Sequence, residues 1–166
     1  QKNMGIPGVT ICFAKEDFLI DTDNPKYLNL NLLTKSNSIL NTPPTFSIYV
    51  LNLVTNWMLE MGGVDYFQNK SIEQSNVIYD FVDENSNVLS CNVDKKYRSK
   101  SNIVFNFIKD EHNKEFVDVA KNLGIIGING HRSVGGIRVS LFNSVDEDMF
   151  EIFMKFFKKY ISELSN

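Results

Sequence analysis

Basic side chains gather in one short, glycine-containing segment, GHRSVGGIR, which spans residues 130–138. Guanidinium groups bind carboxylate and phosphate oxygens through paired N–H donors. Arg132 and Arg138 could therefore each hold an anion, with His131 as a further donor beside Arg132. Two arginines and a histidine within eight residues are unusual in a chain whose net charge is −3. The segment predicts an anion-binding site, and the alternative is a basic loop that is merely solvated.

A lysine stands at the second position, in the polar loop QKNMGIPG. Gly5 and Gly8 allow the backbone to approach other groups closely. The run GVTICFA, from Gly8 to Ala14, is apolar and rich in β-branched residues, which predicts a buried strand. A lysine that is held beside such a strand can be desolvated and act as an amine nucleophile. The alternative for Lys2 is a solvated side chain in a surface loop.

The segment Asn41-Thr42-Pro43-Pro44 precedes an apolar pattern of helical spacing that runs to Gly62-Gly63. Thr42 is predicted as the N-cap and Pro43 as the first helical residue. At that position an N–H would have no partner within the helix, so its absence from proline costs nothing. Helix N-termini attract phosphate, so the side chains of Asn41 and Thr42 could contact an anion. The alternative is that these residues only start the helix.

The rest of the sequence predicts an α/β sandwich in which helices cover one face of a sheet. Residues 28–40 are predicted to form a loop with extended pieces, and a domain boundary is expected near Gly62-Gly63. His112 lies in a charged segment and is predicted to be exposed. The predicted elements after the boundary are a helix over 64–83, a strand over 101–108, a helix over 114–123, a strand over 136–142 and a helix over 146–164.

Composition excludes several classes of function. The acidic net charge of −3 argues against nucleic-acid binding. The sequence contains no run of roughly 18 apolar residues, so no membrane-spanning helix is predicted. Cys12 and Cys91 form no CxxC pair, so neither a metal site nor a disulfide framework is expected. Because the two cysteines are expected to remain reduced, a cytoplasmic location is predicted. The abrupt start at Gln1, without an initiator methionine, is interpreted as part of a longer polypeptide.

Three motifs occur in one order and together resemble the phosphoserine aminotransferases. They are QKN-x-G-x-x-GVT, LNTPPTF and GHR-x-VGG-x-R, and the intervening GGV, YDF and RS-x-x-N also fit. The proline of the first motif, Pro7, is displaced by one residue from the usual family pattern. The resemblance implies the C-terminal part of a fold-type I, pyridoxal-phosphate-dependent transferase. Residues 1–62 would form the end of the large cofactor-binding domain, and residues 63–166 the small α/β domain.

The resemblance also implies an activity. Enzymes of this family are homodimers that transfer an amino group between glutamate and 3-phosphohydroxypyruvate, giving O-phosphoserine and 2-oxoglutarate in serine biosynthesis. Use in pyridoxine biosynthesis, on 4-phosphohydroxythreonine, is left open. Because the upstream cofactor-binding residues of the family are missing from these 166 residues, the chain alone is expected to be inactive.

The resemblance assigns cofactor roles to four residues. Lys2 would form the Schiff base with pyridoxal phosphate, and Gln1 would contact the phosphate of the same cofactor. Asn41 and Thr42 would reach the cofactor phosphate of the other subunit.

Three residues receive substrate roles by the same resemblance. Arg138 would hold the α-carboxylate, and His131 with Arg132 would face the phosphate of phosphoserine or the γ-carboxylate of glutamate. Two alternatives remain from the residues themselves. One is a fold-type I aminotransferase for another acidic or small amino acid, and the other is a non-catalytic module that binds anions or partners.

Overall fold

The structure, a computed structural model, describes residues 1–164 of the 166-residue chain. The chain divides into two compact units, which are described separately. The N-terminal unit comprises Gln1–Glu60, and the C-terminal unit begins at Met61. Among the described residues, no helix combines the length and the apolar character that a membrane crossing requires.

The N-terminal unit contains helices but no strand. Its helices are α1, Leu30–Lys35, and α2, Thr45–Glu60, with short 3-10 turns at Glu16–Phe18 and Lys26–Leu28. The predicted buried strand over residues 8–14 is therefore wrong, and Phe13 within it is 94% exposed. A strand needs a neighbour to pair its N–H and C=O groups. Residues 1–60 supply no such neighbour.

Two further predictions for this unit need correction. Residues 28–40 contain α1 instead of a loop, and the side chain of Asn29 caps this helix by accepting from the Leu32 N–H at 3.0 Å. Helix α2 begins at Thr45, so Thr42 is not its N-cap. A residue before proline is disfavoured in the helical region, and Pro44 thereby keeps Pro43 out of the helix. The predicted end before Gly62 is confirmed.

The C-terminal unit contains one four-stranded antiparallel sheet in the order β1-β2-β4-β3. All the helices and strands predicted for this unit are confirmed, with ends shifted by up to three residues. Two short strands, β1 and β3, were not predicted, because two or three residues carry no readable alternation. The elements are α3 (Gly63–Glu84), β1 (Leu89–Ser90), β2 (Asn102–Phe107), α4 (Glu111–Asn122), β3 (Asn129–His131), β4 (Gly135–Ser140) and α5 (Glu147–Leu164).

The core of this unit lies between one face of the sheet and the helices. Alternate residues of β2 are buried there, as a half-buried strand requires. The ring of Phe105 stacks on that of Phe157 from α5, with centroids 4.8 Å apart. Phe116 of α4 packs edge-on against both rings. This arrangement confirms the predicted α/β fold class and leaves the other face of the sheet for polar side chains.

An ion pair ties the segment before β2 to α3. The carboxylate of Asp83 accepts hydrogen bonds of 2.9 and 2.8 Å from the guanidinium of Arg98, and Lys95 Nζ lies 2.8 Å away. The hydrogen bonds from Arg98 and then Lys95 lower the pKa of Asp83 to about 2. Arg98 also lies over the ring of Tyr79, 4.7 Å from its centroid. The arginine is therefore fixed from two sides.

His112 differs from its predicted exposure. It lies in the first turn of α4, and its side chain is only 19% exposed. Its Nδ1 lies 3.0 Å from the Glu115 carboxylate, and its ring meets the edge of Phe107. The exposure of His112 was mispredicted because its neighbours in the sequence are charged, although its ring lies on the side of α4 that packs against Phe107.

Candidate cofactor and substrate sites

The loop that carries Lys2 is held along the first turns of α2. The hydroxyl of Ser47 donates to the carbonyl of Pro7 at 3.0 Å, and Ser47 is the one buried residue of this helix. Gly8 has a φ of +117°, and a Cβ there would lie 2.7 Å from Ser47 Oγ. Gly5, with a φ of +140°, lies against the backbone of Leu51. Gly8 thus permits a close approach that a Cβ would crowd, and both glycines adopt positive φ values that other residues rarely take.

Lys2 and Gln1 are both exposed within this chain. The desolvation expected for Lys2 is therefore not provided by the described residues. What the structure provides is a fixed backbone path for the loop, from Gly5 to Gly8, against a regular helix. Such a path limits where the amine of Lys2 can reach.

Asn41 and Thr42 lie just before α2 and are exposed. Because α2 begins at Thr45, the Thr42 hydroxyl is not needed as a cap. An exposed amide and hydroxyl before a helix N-terminus fit the donor set of a phosphate site. Lys2 and these two residues therefore belong to segments that flank the same helix.

The GHRSVGGIR segment forms the hairpin of β3 and β4. His131 pairs with Gly135 across the two strands, and the Val134 N–H donates to the His131 carbonyl at 2.9 Å. A Cβ on Gly130 would overlap the carbonyl oxygen of Gly135, so only glycine fits there. Arg132 is exposed at the tip. The glycines thus allow a tight turn that presents two basic side chains.

The ring of His131 is held by its own loop. Its Nδ1 lies 2.8 Å from Ser133 Oγ, and the Ser133 backbone N–H donates to the same nitrogen at 3.3 Å. The His131 side chain remains exposed. The other ring nitrogen, Nε2, is therefore the one left to meet a ligand.

Arg138 lies on the face of β4 opposite the buried Ile137 and Val139. It pairs across the sheet with Val104 of β2. Its Nε is buried and has no hydrogen-bond partner among the described residues. Buried donors are normally paired, and a guanidinium is well matched to a carboxylate. An anionic ligand group would satisfy this nitrogen.

The two basic groups of the hairpin are separated along the strand. Arg138 follows Gly135, the partner of His131, by three residues, which corresponds to about 10 Å of extended backbone. Two separate anions can therefore be held by one hairpin. Because three is an odd number of residues, the face that His131 shares with Gly135 is opposite the face of Arg138, so the two groups offer separate anion positions.

Comparison with known proteins decides the family. The model of the family described as Aminotransferase class-V matches residues 1–153. The chain belongs to this family. Phosphoserine aminotransferase from Bacillus cereus is 40% identical over 168 residues, which cover 100% of this chain and 46% of that protein. The chain thus spans less than half the length of this relative, and the predicted resemblance is confirmed.

Solved structures agree with this assignment. One, of a phosphoserine aminotransferase with radiation damage at its Schiff base, superposes with a TM-score of 0.91 and 36% identity, covering 97% of this chain and 45% of that one. Another, the phosphoserine aminotransferase of Trichomonas vaginalis with PLP bound, has a TM-score of 0.76 and 27% identity, covering 84% and 40%. The class-V aminotransferase fold is therefore shared.

Sequence reasoning missed two serines that organise these segments. Ser47 reaches the Lys2 loop across 40 residues of sequence, so no local pattern could have indicated the contact. Ser133 was visible inside the GHRSVGGIR motif, two residues after His131. Serine and threonine often bond to groups two residues away, and this spacing was the available signal.

Proposed function

We propose that this chain is part of a pyridoxal-phosphate-dependent phosphoserine aminotransferase. The enzyme would transfer an amino group between glutamate and 3-phosphohydroxypyruvate, giving O-phosphoserine and 2-oxoglutarate in serine biosynthesis. The observation that carries the proposal is the 40% identity over the whole chain with an enzyme of that name. The basic residues His131, Arg132 and Arg138 support it, because each of these substrates carries two anionic groups that guanidinium and imidazole donors can bind.

The N-terminal unit would serve the cofactor. When bound, pyridoxal phosphate withdraws electrons from the α-carbon of the amino acid and so eases loss of its proton. Lys2 Nζ would bind the cofactor aldehyde and, once displaced by substrate, would take up the α-carbon proton. Gln1 would donate to the cofactor phosphate. The fixed path of the Lys2 loop along α2 supports these roles.

The hairpin would serve the substrate. The guanidinium of Arg138 would bind the α-carboxylate, which would also pair its buried Nε. His131 and Arg132 would bind the distal phosphate or the γ-carboxylate of glutamate. Both distal groups present anionic oxygens, so the same donors can accept either one.

The proposed enzyme is a cytoplasmic homodimer. Asn41 and Thr42 would serve the cofactor phosphate of the partner subunit, which their exposure in this chain permits. Residues 1–62 would complete the large domain and residues 63–166 would form the small one. The division of the chain at Glu60 and Met61 is compatible with these bounds.

The cofactor assignment is tested by trapping. In the protein as encoded, including any sequence that flanks this chain, borohydride should link the cofactor to Lys2, and Lys2→Ala should abolish the link. Lys15→Ala, which changes an exposed lysine of the same unit, should leave it intact. Retained trapping in Lys2→Ala would refute the assignment.

The substrate assignment is tested by kinetics. Arg132→Ala should raise the KM for phosphoserine by about 10- to 100-fold, as expected for a lost charged hydrogen bond, with little change in cofactor affinity. Lys121→Ala, an exposed cation of the same unit, should change neither value. Equal losses in cofactor binding and substrate use would argue against a role for Arg132 at the substrate.

A further inference from the structure

Ser133 makes two contacts with one ring nitrogen of His131. Its hydroxyl oxygen lies 2.8 Å from Nδ1, and its backbone N–H donates to Nδ1 at 3.3 Å. A backbone N–H can only donate, so Nδ1 must present its lone pair. The serine hydroxyl can then donate to the same lone pair. Both contacts therefore favour a neutral ring whose proton is on Nε2.

We propose that Ser133 is a positioning residue that fixes the tautomer and orientation of His131, so that Nε2–H donates to the distal anionic group of the substrate. This inference rests on the proposed function and deepens it. Ser133 itself touches no substrate. It acts through His131, as groups behind a functional histidine often determine which nitrogen carries the proton.

The shape of the imidazole ring determines which of its nitrogens faces a ligand. Nδ1 and Nε2 lie on different edges of the imidazole, so a ring that turns Nδ1 towards Ser133 presents Nε2 away from the loop backbone. His131 is exposed, so a ligand can reach this residue from outside the loop. The opposite tautomer would offer a lone pair to an anion and repel it.

The proposal also explains how one pair of residues can accept two distal groups. A neutral N–H donor pairs with an oxygen of either phosphate or carboxylate, while the adjacent Arg132 supplies the positive charge. Ser133 would therefore support both half-reactions to a similar degree. A substitution that frees the ring should weaken both substrates together.

The experiment compares Ser133→Ala with Ser133→Thr in the encoded protein with its cofactor bound. Ser133→Ala removes the shorter contact and keeps the backbone donor. We expect the KM values for phosphoserine and for glutamate to rise by about 3- to 10-fold, the effect of one neutral hydrogen bond. The kcat and the absorbance of the bound cofactor should not change. Ser133→Thr keeps a hydroxyl and should restore both KM values.

A second readout does not depend on turnover. The ¹⁵N shifts of the His131 ring, assigned with His131→Asn, distinguish the nitrogen that carries the proton. At a pH where the ¹⁵N shifts show the ring to be neutral, the parent protein should show the proton on Nε2, and Ser133→Ala should show a mixture of tautomers.

The outcomes separate this inference from the proposed function. A parent protein with the proton on Nδ1, or a Ser133→Ala variant with unchanged KM values and tautomer, would overturn the role of Ser133. Failure of the parent protein to turn over phosphoserine would overturn the proposed function, while the ring shifts would still report on Ser133. A fall in kcat together with lost cofactor absorbance would indicate a structural role and overturn the positioning role.

Discussion

The two units of the chain use the same kind of residue in opposite ways. In the C-terminal unit, Phe105, Phe116 and Phe157 are all less than 2% exposed. In the N-terminal unit, Phe13, Phe18 and Phe46 are 94%, 70% and 69% exposed. Apolar residues alone therefore do not make a core. They need partners of the right geometry, and only the C-terminal unit contains its own.

The contrast arises from whether each unit contains strands that can pair with one another. The C-terminal unit holds four strands and the helices that cover them. The N-terminal unit has an apolar run at residues 8–14 but no strand to pair with it. The chain spans 46% of its Bacillus cereus relative. We expect protein outside residues 1–164 to cover the exposed aromatic residues of the N-terminal unit.

The contrast between the two units is tested most directly by producing each unit separately. Residues 61–166 alone should fold and unfold in one cooperative thermal transition, because their core is internal. Residues 1–60 alone should show no such transition. Circular dichroism and amide NMR dispersion would measure both. A cooperative N-terminal peptide would contradict the idea that its exposed aromatic residues need partners from elsewhere.

The next effect concerns single phenylalanines. Phe105→Ala should lower the free energy of unfolding of the C-terminal unit by about 3–5 kcal/mol, through lost burial and a cavity. Phe13→Ala should change the stability of this chain by no more than about 0.5 kcal/mol. Urea denaturation of the two variants measures the difference. Similar losses in both would show that exposure does not separate the units.

The Asp83–Arg98 pair offers a smaller, pH-dependent effect. Asp83→Asn should cost about 1–2 kcal/mol at pH 7, since the Asp83 side chain is 30% exposed and partly screened. The folded pKa of Asp83 is lowered from 3.8 to about 2. Its contribution is therefore present above about pH 4 and is lost as the pH falls through 2.

Urea titrations between pH 2 and pH 7 measure this contribution. The gap between parent and Asp83→Asn should narrow as the pH falls. Asp118→Asn, which changes an exposed carboxylate of α4, should show no comparable gap at pH 7. A gap that widens towards pH 2 would contradict the assigned direction.

The smallest effect is expected in the N-terminal unit. Ser47→Ala removes the hydrogen bond to Pro7 and should speed amide exchange in the Lys2 loop, at a cost of about 1 kcal/mol or less. Thr55→Ala is the matched control, because that hydroxyl donates to carbonyls of α2 itself, those of Leu51 and Asn52. Hydrogen exchange followed by mass spectrometry measures both. Unchanged exchange at Gly5 to Gly8 would show that Ser47 does not hold the loop.

The sequence predicted the C-terminal unit better than the N-terminal one for a physical reason. The alternation of Ile103, Phe105 and Phe107 indicates that one face of β2 is buried. The residues that pack against this face belong to the same unit. The run at residues 8–14 has equal apolar character, but its conformation depends on pairing that local sequence does not specify. The predicted start of α2 at Pro43 lies two residues before the observed one, because Pro44 disfavours helical backbone at the residue before it.

The candidate sites divide in a similar way. The residue types and order of the Lys2 loop and the GHRSVGGIR hairpin could be read directly. That Arg138 Nε finds no partner within residues 1–164 could not be predicted, because it depends on packing across β2 and β4. The roles of all seven candidate site residues remain predictions.

The contact between Gly130 and Gly135 has a consequence for laboratory evolution of substrate preference. A methyl group at Gly130 would collide with backbone atoms, which cannot move aside as a side chain can. Libraries that randomise this strand position should return only the parent residue. Productive diversity for ligands with a different distal group should instead collect at the three tip positions, 132–134, where the chain turns in open solvent.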